Sequence, residues 1–381
     1  MRIVHLCLSC FYIDGYRYQE NELVRQHVRD GHEVLVIAST ETYIDNLTLG
    51  YTSPGSYMGT DGARVIRLPY SGPFPFFIKK KLRKHSGVYE ILKNFSPDVV
   101  VFHGLCGWEL LTVAKYKRDH PQVRLYADSH EDANNSARTF FSKHVLHRMY
   151  YRPIIHRSLS AVEKVLCISM DTIEFCRNFY EIPQPFLEFF PLGGVVLDNA
   201  EYHRIRHSER EKFGIEENDI VFIQSGKFDE RKKLLDSLLA FTKTQHTKCK
   251  FFIAGQMSSD IKKKVQVLID SDHRIHYVGW LPSDELYNLL CASDVYVQPG
   301  TQSATMQMSL CARCVVILDD VPSHYPFVEG NGWLLGEKYT LSAVFNEIEN
   351  NPELIKAKSL KSYEIASRLL DYESMAKRLL Q

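Results

Sequence analysis

The stretch Val221–Phe241, reading VFIQSGKFDERKKLLDSLLAF, constrains the fold of this chain more than any other. Val221-Phe222-Ile223 is an apolar run too short for a helix and stopped by Gly226, so it reads as a buried strand. A short polar loop from Gly226-Lys227 leads to Arg231-Lys232-Lys233, and from Leu234 the leucines recur at helical spacing. Cations are therefore expected between the end of a strand and the start of a helix. In an open α/β sheet that place is the crevice where ligands bind, and a helix N-terminus adds positive potential. Basic side chains there work against the helix dipole, which calls for an anion, and a diphosphate is the natural candidate. The alternative is a solvated basic turn.

The same alternation runs through the rest of the chain. A strand at Arg2–Ser9, the turn Asp14-Gly15-Tyr16, a helix from about Tyr18 to Arg29, a stop at Gly31-His32 and a strand at Glu33–Ala38 make a βαβ opening. It lacks G-x-G-x-x-G, so it is not a dinucleotide fingerprint. Further strands are expected near 64–68, 99–102, 123–127 and 165–169, with a helix at 107–118 and a long basic helix at 138–160 broken at Pro153. Residues 50–63, rich in glycine, read as a long mobile loop. Beyond a punctuation-rich linker at about 190–200, strands are expected at 220–224, 250–254, 274–278, 295–298 and 315–318. Helices fall near 232–245, 258–271, 283–292 and 303–312, and 353–381 is helical throughout. With 381 residues, the chain is expected to form two Rossmann-like α/β domains facing across a cleft. These are 1–193 and 194–360, with 361–381 packing back on the first.

Lysine plus arginine and aspartate plus glutamate each number 46, and this zero balance argues against a protein devoted to nucleic acid. No run approaches the roughly 18–20 apolar residues of a membrane span. The opening MRIVHLCLSCFY reads as a buried strand rather than a signal peptide. Nine scattered cysteines suggest free thiols in a reducing compartment, and Cys311-x-x-Cys314 finds no second ligand pair for zinc. Phe74–Lys84 sets aromatics beside Lys79, Lys80, Lys81, Arg83 and Lys84, which suits either an anionic lipid surface or an amphipathic helix with a solvated basic side. Asp128-Ser129-His130-Glu131-Asp132 sits at a strand's C-terminal end. A histidine between carboxylates there can serve as base, acid or hydroxyl-orienting group, or be a hydrogen-bonded loop residue.

These segments, in their order and spacing, resemble the retaining glycosyltransferase family 4 (group 1) of GT-B fold over nearly the whole chain. Gly31-His32-Glu33-Val34 resembles the family's second strand, and Asp98-Val99-Val100 its fourth. Asp128–Glu131 resembles the loop bearing its active-site histidine, and Phe190–Gly193 its interdomain signature. Gly226–Lys232 lies on its G-R-L-x-x-x-K motif, with Lys227 in place of arginine. Gly255, Gly279–Pro282 and Ala292–Val295 fit its later strand ends. Pro299–Ile317 departs from the pattern. Anchored on Val316-Ile317, Met308 stands at the second family glutamate and Arg313 at a glycine, while the first glutamate has no clear counterpart.

The resemblance implies transfer of a sugar from a nucleotide-diphosphate sugar, of UDP or GDP type, to a glycan or lipid-linked acceptor, with retention of configuration. Bacterial surface polysaccharide synthesis at the inner membrane face is the expected setting. His130, Lys232 and Lys227 would be catalytic. Gly226, Arg231, Gly255, Trp280, Leu281, Thr301, Gln302, Ser303, Ala304 and Thr305 would hold the donor. Gly15, Tyr16, Gln19 and Glu131 would face the acceptor. No D-x-D metal motif ends a strand, Asp270-Ser-Asp272 following a helix, so lysines are expected to take the metal's role and no cofactor is implied. Two alternatives stay open, a sugar-nucleotide epimerase or hydrolase of the same fold, and a binding protein without catalysis.

Overall fold

Short runs of valine, isoleucine and phenylalanine, too apolar to face water on either side, pair as parallel strands with helices between them. The computed structural model describes residues 1–45, 48–133, 135–245, 247–300 and 303–381. The chain divides into two units, Met1–Pro191 together with Met375–Gln381, and Leu192–Ser374. The division therefore falls after Pro191. Residues 361–374 stay with the second unit, and only the last seven sort with the first.

In the first unit the strands are β1 Arg2–Cys7, β2 Glu33–Ser39, β3 Glu41–Asp45, β4 Thr48–Tyr51, β5 Gly55–Met58, β6 Arg64–Leu68, β7 Val99–Phe102, β8 Arg124–Ser129, β9 Lys164–Cys167 and β10 Leu187–Phe189. Eight of them form a sheet ordered β10-β9-β8-β7-β1-β2-β6-β5, parallel except for β5 at the edge. Strand order reverses between β1 and β7, which opens a crevice beyond their C-terminal ends. The stretch 50–63 is not one open loop. β4 pairs with β3 as a ribbon, and β5 adds antiparallel to β6, so its backbone groups find partners in sheet structure. Nor does Pro153 break the helix. Ser142–Tyr151 is π-helical and runs straight into the α-helix Arg152–Ser158, so Pro153 falls just past a π-to-α transition in one continuous helix.

In the second unit β11 Ile220–Phe228, β12 Cys249–Met257, β13 Ile275–Gly279, β14 Val295–Gln298, β15 Val315–Asp319 and β16 Gly332–Leu335 form a wholly parallel sheet. Their order is β13-β12-β11-β14-β15-β16, reversing between β11 and β14. Phe222, Phe241, Phe251 and Phe345 pack together in its core. The expected loop at Gly226-Lys227 is instead strand. β11 continues to the buried Phe228 because Gly226 pairs with Gly255 of β12, and a Cβ on Gly255 would lie 1.9 Å from the Gly226 carbonyl oxygen. The linker region gives way to a helix at Asn199–Lys212, and the C-terminal stretch to two helices, Glu353–Leu369 and Tyr372–Arg378.

Candidate active site

The first unit's crevice is floored by the ends of β1, β7 and β8. β8 delivers Asp128 and Ser129, and His130 follows. One Asp128 oxygen accepts the Gly104 amide at 2.7 Å and the other the His103 Nδ1 proton at 2.5 Å. Burial alone would raise the Asp128 carboxyl, but the charge of His103 and its hydrogen bond hold it below the usual range. His130 Nε2 lies 3.7 Å from Asp128, buried and without a hydrogen bond, as suits a group that meets its partner in a ligand. Glu131 accepts the Ser129 hydroxyl at 2.6 Å.

Beside this edge lies a cavity of about 420 Å³ lined by Glu131, Asn135, Arg138, Lys80, Lys81, Arg83, Cys106 and Tyr151, among others. Lys80 is paired to Glu41 at 2.6 Å. Arg83 is held by two carbonyls, those of Ser9 at 2.5 Å and Cys106 at 3.0 Å. Phe76–Leu82 is a helix with no buried residue, anchored where Tyr150 donates to the Leu82 carbonyl at 3.0 Å and Tyr151 to that of Lys81. It leaves Phe77 70% exposed, and the neighbouring π-helical segment and its approach leave Phe140 80%, Phe141 66% and Met149 72% exposed.

Of the other residues expected here, Gly15 takes φ +81° and packs near Thr60. Tyr16 packs tilted against Tyr18 and Tyr43. Gln19 is buried and its amide nitrogen donates to the Pro191 carbonyl at 3.0 Å.

The second unit's edge gathers Lys227 at the end of β11, the one-turn helix Glu230–Lys232, and the start of the helix Ala304–Cys311. Gly300 presses so close that a Cβ there would lie 2.0 Å from the Arg231 carbonyl oxygen. Lys232 is half-buried, and burial lowers its pKa from lysine's ordinary value. Lys227 lies 5.9 Å over the exposed ring of Trp280. Arg231 is drawn away, 77% exposed and bonded through Nε and Nη2 to Asp229 at 2.8 and 2.5 Å. Lys233 pairs with Asp319 at 2.9 Å. Of the cations expected from the sequence, Lys227 thus lies over Trp280, Lys232 is half-buried, and Arg231 and Lys233 are held by carboxylates.

Ser303 does not cap its helix. Its hydroxyl turns back to Gln298 at 2.7 Å, which also accepts from Tyr296 at 2.9 Å. Gly255 pairs with Gly226 in the neighbouring strand, Leu281 and Thr305 are half-buried, and Ala304 is exposed. Thr301 and Gln302 lie outside the described residues. Sequence reasoning missed Gln224, buried midway along β11, and Gln298, buried at the end of β14, with Gln224 donating to the Lys232 carbonyl at 2.7 Å. A glutamine set directly after an apolar run was the available signal. Cys311 and Cys314 are buried free thiols.

Two family models match the chain. That described as Glycosyltransferase Family 4 covers residues 21–191, and that described as Glycosyl transferases group 1 covers 205–324. The phosphatidylinositol N-acetylglucosaminyltransferase GPI3 subunit of Saccharomyces cerevisiae is 20% identical over 404 residues, spanning 100% of this chain and 82% of the relative. Among solved structures, sucrose-phosphate synthase from Thermosynechococcus elongatus superposes with a TM-score of 0.62 at 14% identity, covering 100% of this chain and 97% of its own. HepE of Anabaena, solved in complex with UDP, gives 0.62 at 12%, covering 100% and 98%. WaaG, a glycosyltransferase involved in lipopolysaccharide biosynthesis, gives 0.60 at 15%, covering 98% of each chain. The chain belongs to the group 1 glycosyltransferases of GT-B fold and is a sugar transferase.

Proposed function

We propose that this transferase takes its sugar from a nucleoside-diphosphate sugar held by the second unit and passes it, with retained configuration, to a lipid-linked acceptor met by the first unit. The observation that carries the donor reading is Lys232. A half-buried ammonium in the one-turn helix that follows β11, at the strand-order reversal of a parallel sheet, is placed to neutralise a leaving diphosphate. The UDP bound in HepE agrees with this chemistry. His130, with its unpartnered Nε2, is assigned to the transferred sugar.

The acceptor reading rests on the cavity beside Glu131, where Lys81, Arg83 and Arg138 suit an acceptor carrying phosphate. The exposed phenylalanines beside it suit a bilayer surface on the cytoplasmic side. The yeast relative, whose name specifies a phosphatidylinositol acceptor, and WaaG, in lipopolysaccharide synthesis, support a lipid-borne acceptor; a bacterial surface glycan is the product we favour.

Lys232→Ala tests the proposal. It should cut transfer by about 10²–10³-fold with the melting temperature little changed, because the side chain is only half-buried. Near-normal turnover would remove the donor assignment. Since the lysines carry the leaving-group charge, transfer should also persist in excess chelator.

A further inference from the structure

Three histidines that the transfer does not itself require form one buried line in the first unit. His103 Nδ1 lies 2.5 Å from Asp128, His103 Nε2 lies 2.9 Å from His5 Nδ1, His5 Nε2 lies 3.0 Å from His27 Nδ1, and His27 Nε2 lies 3.2 Å from the Ala376 carbonyl oxygen. All three rings are 0% exposed. Each link is a hydrogen bond only if it holds one proton, so the row of four links needs four. Three neutral imidazoles supply three N–H groups, and the Ala376 carbonyl can only accept. The row must therefore hold one proton more, shared between Asp128 and the imidazoles.

We propose that His103, His5 and His27 are positioning residues for the transfer, a buried row whose shared proton keeps Asp128 charged and fixed against His130 and whose far end is closed by the Ala376 carbonyl. The carbonyl sets every bond direction. His27 donates to it through Nε2, His5 donates to His27 through Nε2, and His103, carrying the extra proton, donates both to His5 and to Asp128. The electrostatics of the surroundings agree. Burial opposes charge on His103, but Asp128 outweighs it and raises its pKa to about 10, while burial lowers His27 to about 4 and His5 well below its ordinary value. The other groups facing the row are Cys7 and Glu20 toward His103, Asp30 and His32 toward His27, and His130 toward Asp128.

This role rests on the assignment of His130 to the reacting sugar, whereas the proton count does not. Nitrogen-15 spectra of the full chain labelled at histidine separate the two. At pH 8 they should show one buried imidazolium and two buried neutral rings protonated at Nε2. Three neutral buried rings would overturn the charged Asp128, and with it the proposal. His27→Phe should move the imidazolium's titration to lower pH and slow UDP release from a mixture of UDP-glucose and UDP-N-acetylglucosamine about tenfold, the scale on which a group orienting a site histidine acts, with UDP affinity unchanged. His27→Gln, which can both accept and donate, should restore most of that rate. An unchanged His103 titration in His27→Phe, or equal loss in both variants, contradicts the proposal. A His130→Ala enzyme that keeps its full rate sinks the positioning role and the reading of His130 while leaving the spectroscopic row intact.

Discussion

At the scale of single residues, Lys232 shows how burial prepares a site for charge. Taking an ammonium partly out of water disfavours it, so its pKa falls until an anion arrives to restore it. Folding lowers this lysine's pKa, so between the lowered value and lysine's ordinary one the unfolded chain binds more protons, and stability rises with pH across that window. Diphosphate binding favours the ammonium and should therefore weaken as pH climbs through the lowered value. Calorimetric titration of UDP from pH 7 to 10 checks this, and a flat profile would count against Lys232 as the anion's partner. Arg313 shows the opposite economy. It follows the helix Ala304–Cys311 with φ +66°, where the family resemblance expects glycine. Its guanidinium lies 4.2 Å over the rings of both Tyr202 and Tyr363 and bonds Asn199 at 2.8 Å and the Leu197 carbonyl at 3.0 Å. Arg313→Gly should relieve about 1 kcal/mol of left-handed strain but lose two stacked contacts of about 0.5–1 kcal/mol each and two charged hydrogen bonds. With charged hydrogen bonds at about 1.5–3 kcal/mol each, a net loss of several kcal/mol in denaturant melts is expected, and a gain would show that the stacking does not compensate.

At the scale of elements, Phe76–Leu82 and the π-helical Ser142–Tyr151 form one surface, tied by Tyr150 and Tyr151. Aromatic side chains left in water beside lysines and arginines gain by entering a headgroup layer. Phe77→Ser with Phe140→Ser should reduce co-sedimentation with phosphatidylglycerol vesicles several-fold without unfolding, because both rings are exposed. Unchanged co-sedimentation would leave these helices as solvated surface. Much at this scale was legible beforehand, because apolar runs such as Val99–Phe102 and Val295–Gln298 have one stable use, a buried parallel strand. The end of β11 was not. A glycine usually stops a strand, and here it continues one, because Gly255 has no Cβ to strike the Gly226 carbonyl as the two pair. The histidine row was equally hidden, since His5, His27 and His103 each look like an isolated polar residue until three elements bring them together.

At the scale of the whole molecule, zero net charge conceals a local division of labour, with cations gathered at one strand edge of each unit. The two-unit plan and a return of the chain's end to the first unit could be read from the sequence, but not that the return is confined to the last seven residues, since helical periodicity does not say where along 361–381 the chain changes core. There Met375, Ala376 and Leu379 are buried, and Arg378 bonds Glu188 at 2.5 Å. Truncation after Ser374 should lower the first unit's stability by several kcal/mol, at about 2–5 kcal/mol for each large buried side chain lost. It should appear as an earlier thermal transition, and an unshifted melt would show that the segment is dispensable. The central claim is that the second unit's edge grips a diphosphate through Lys232 and Lys227. Calorimetry of UDP and uridine with wild-type protein and Lys232→Ala tests it most directly. UDP should bind far more tightly than uridine to the wild type, and the variant should lose about 10–100-fold for UDP alone, the worth of one charged hydrogen bond. Equal affinity for UDP and uridine, or no loss in Lys232→Ala, would contradict it.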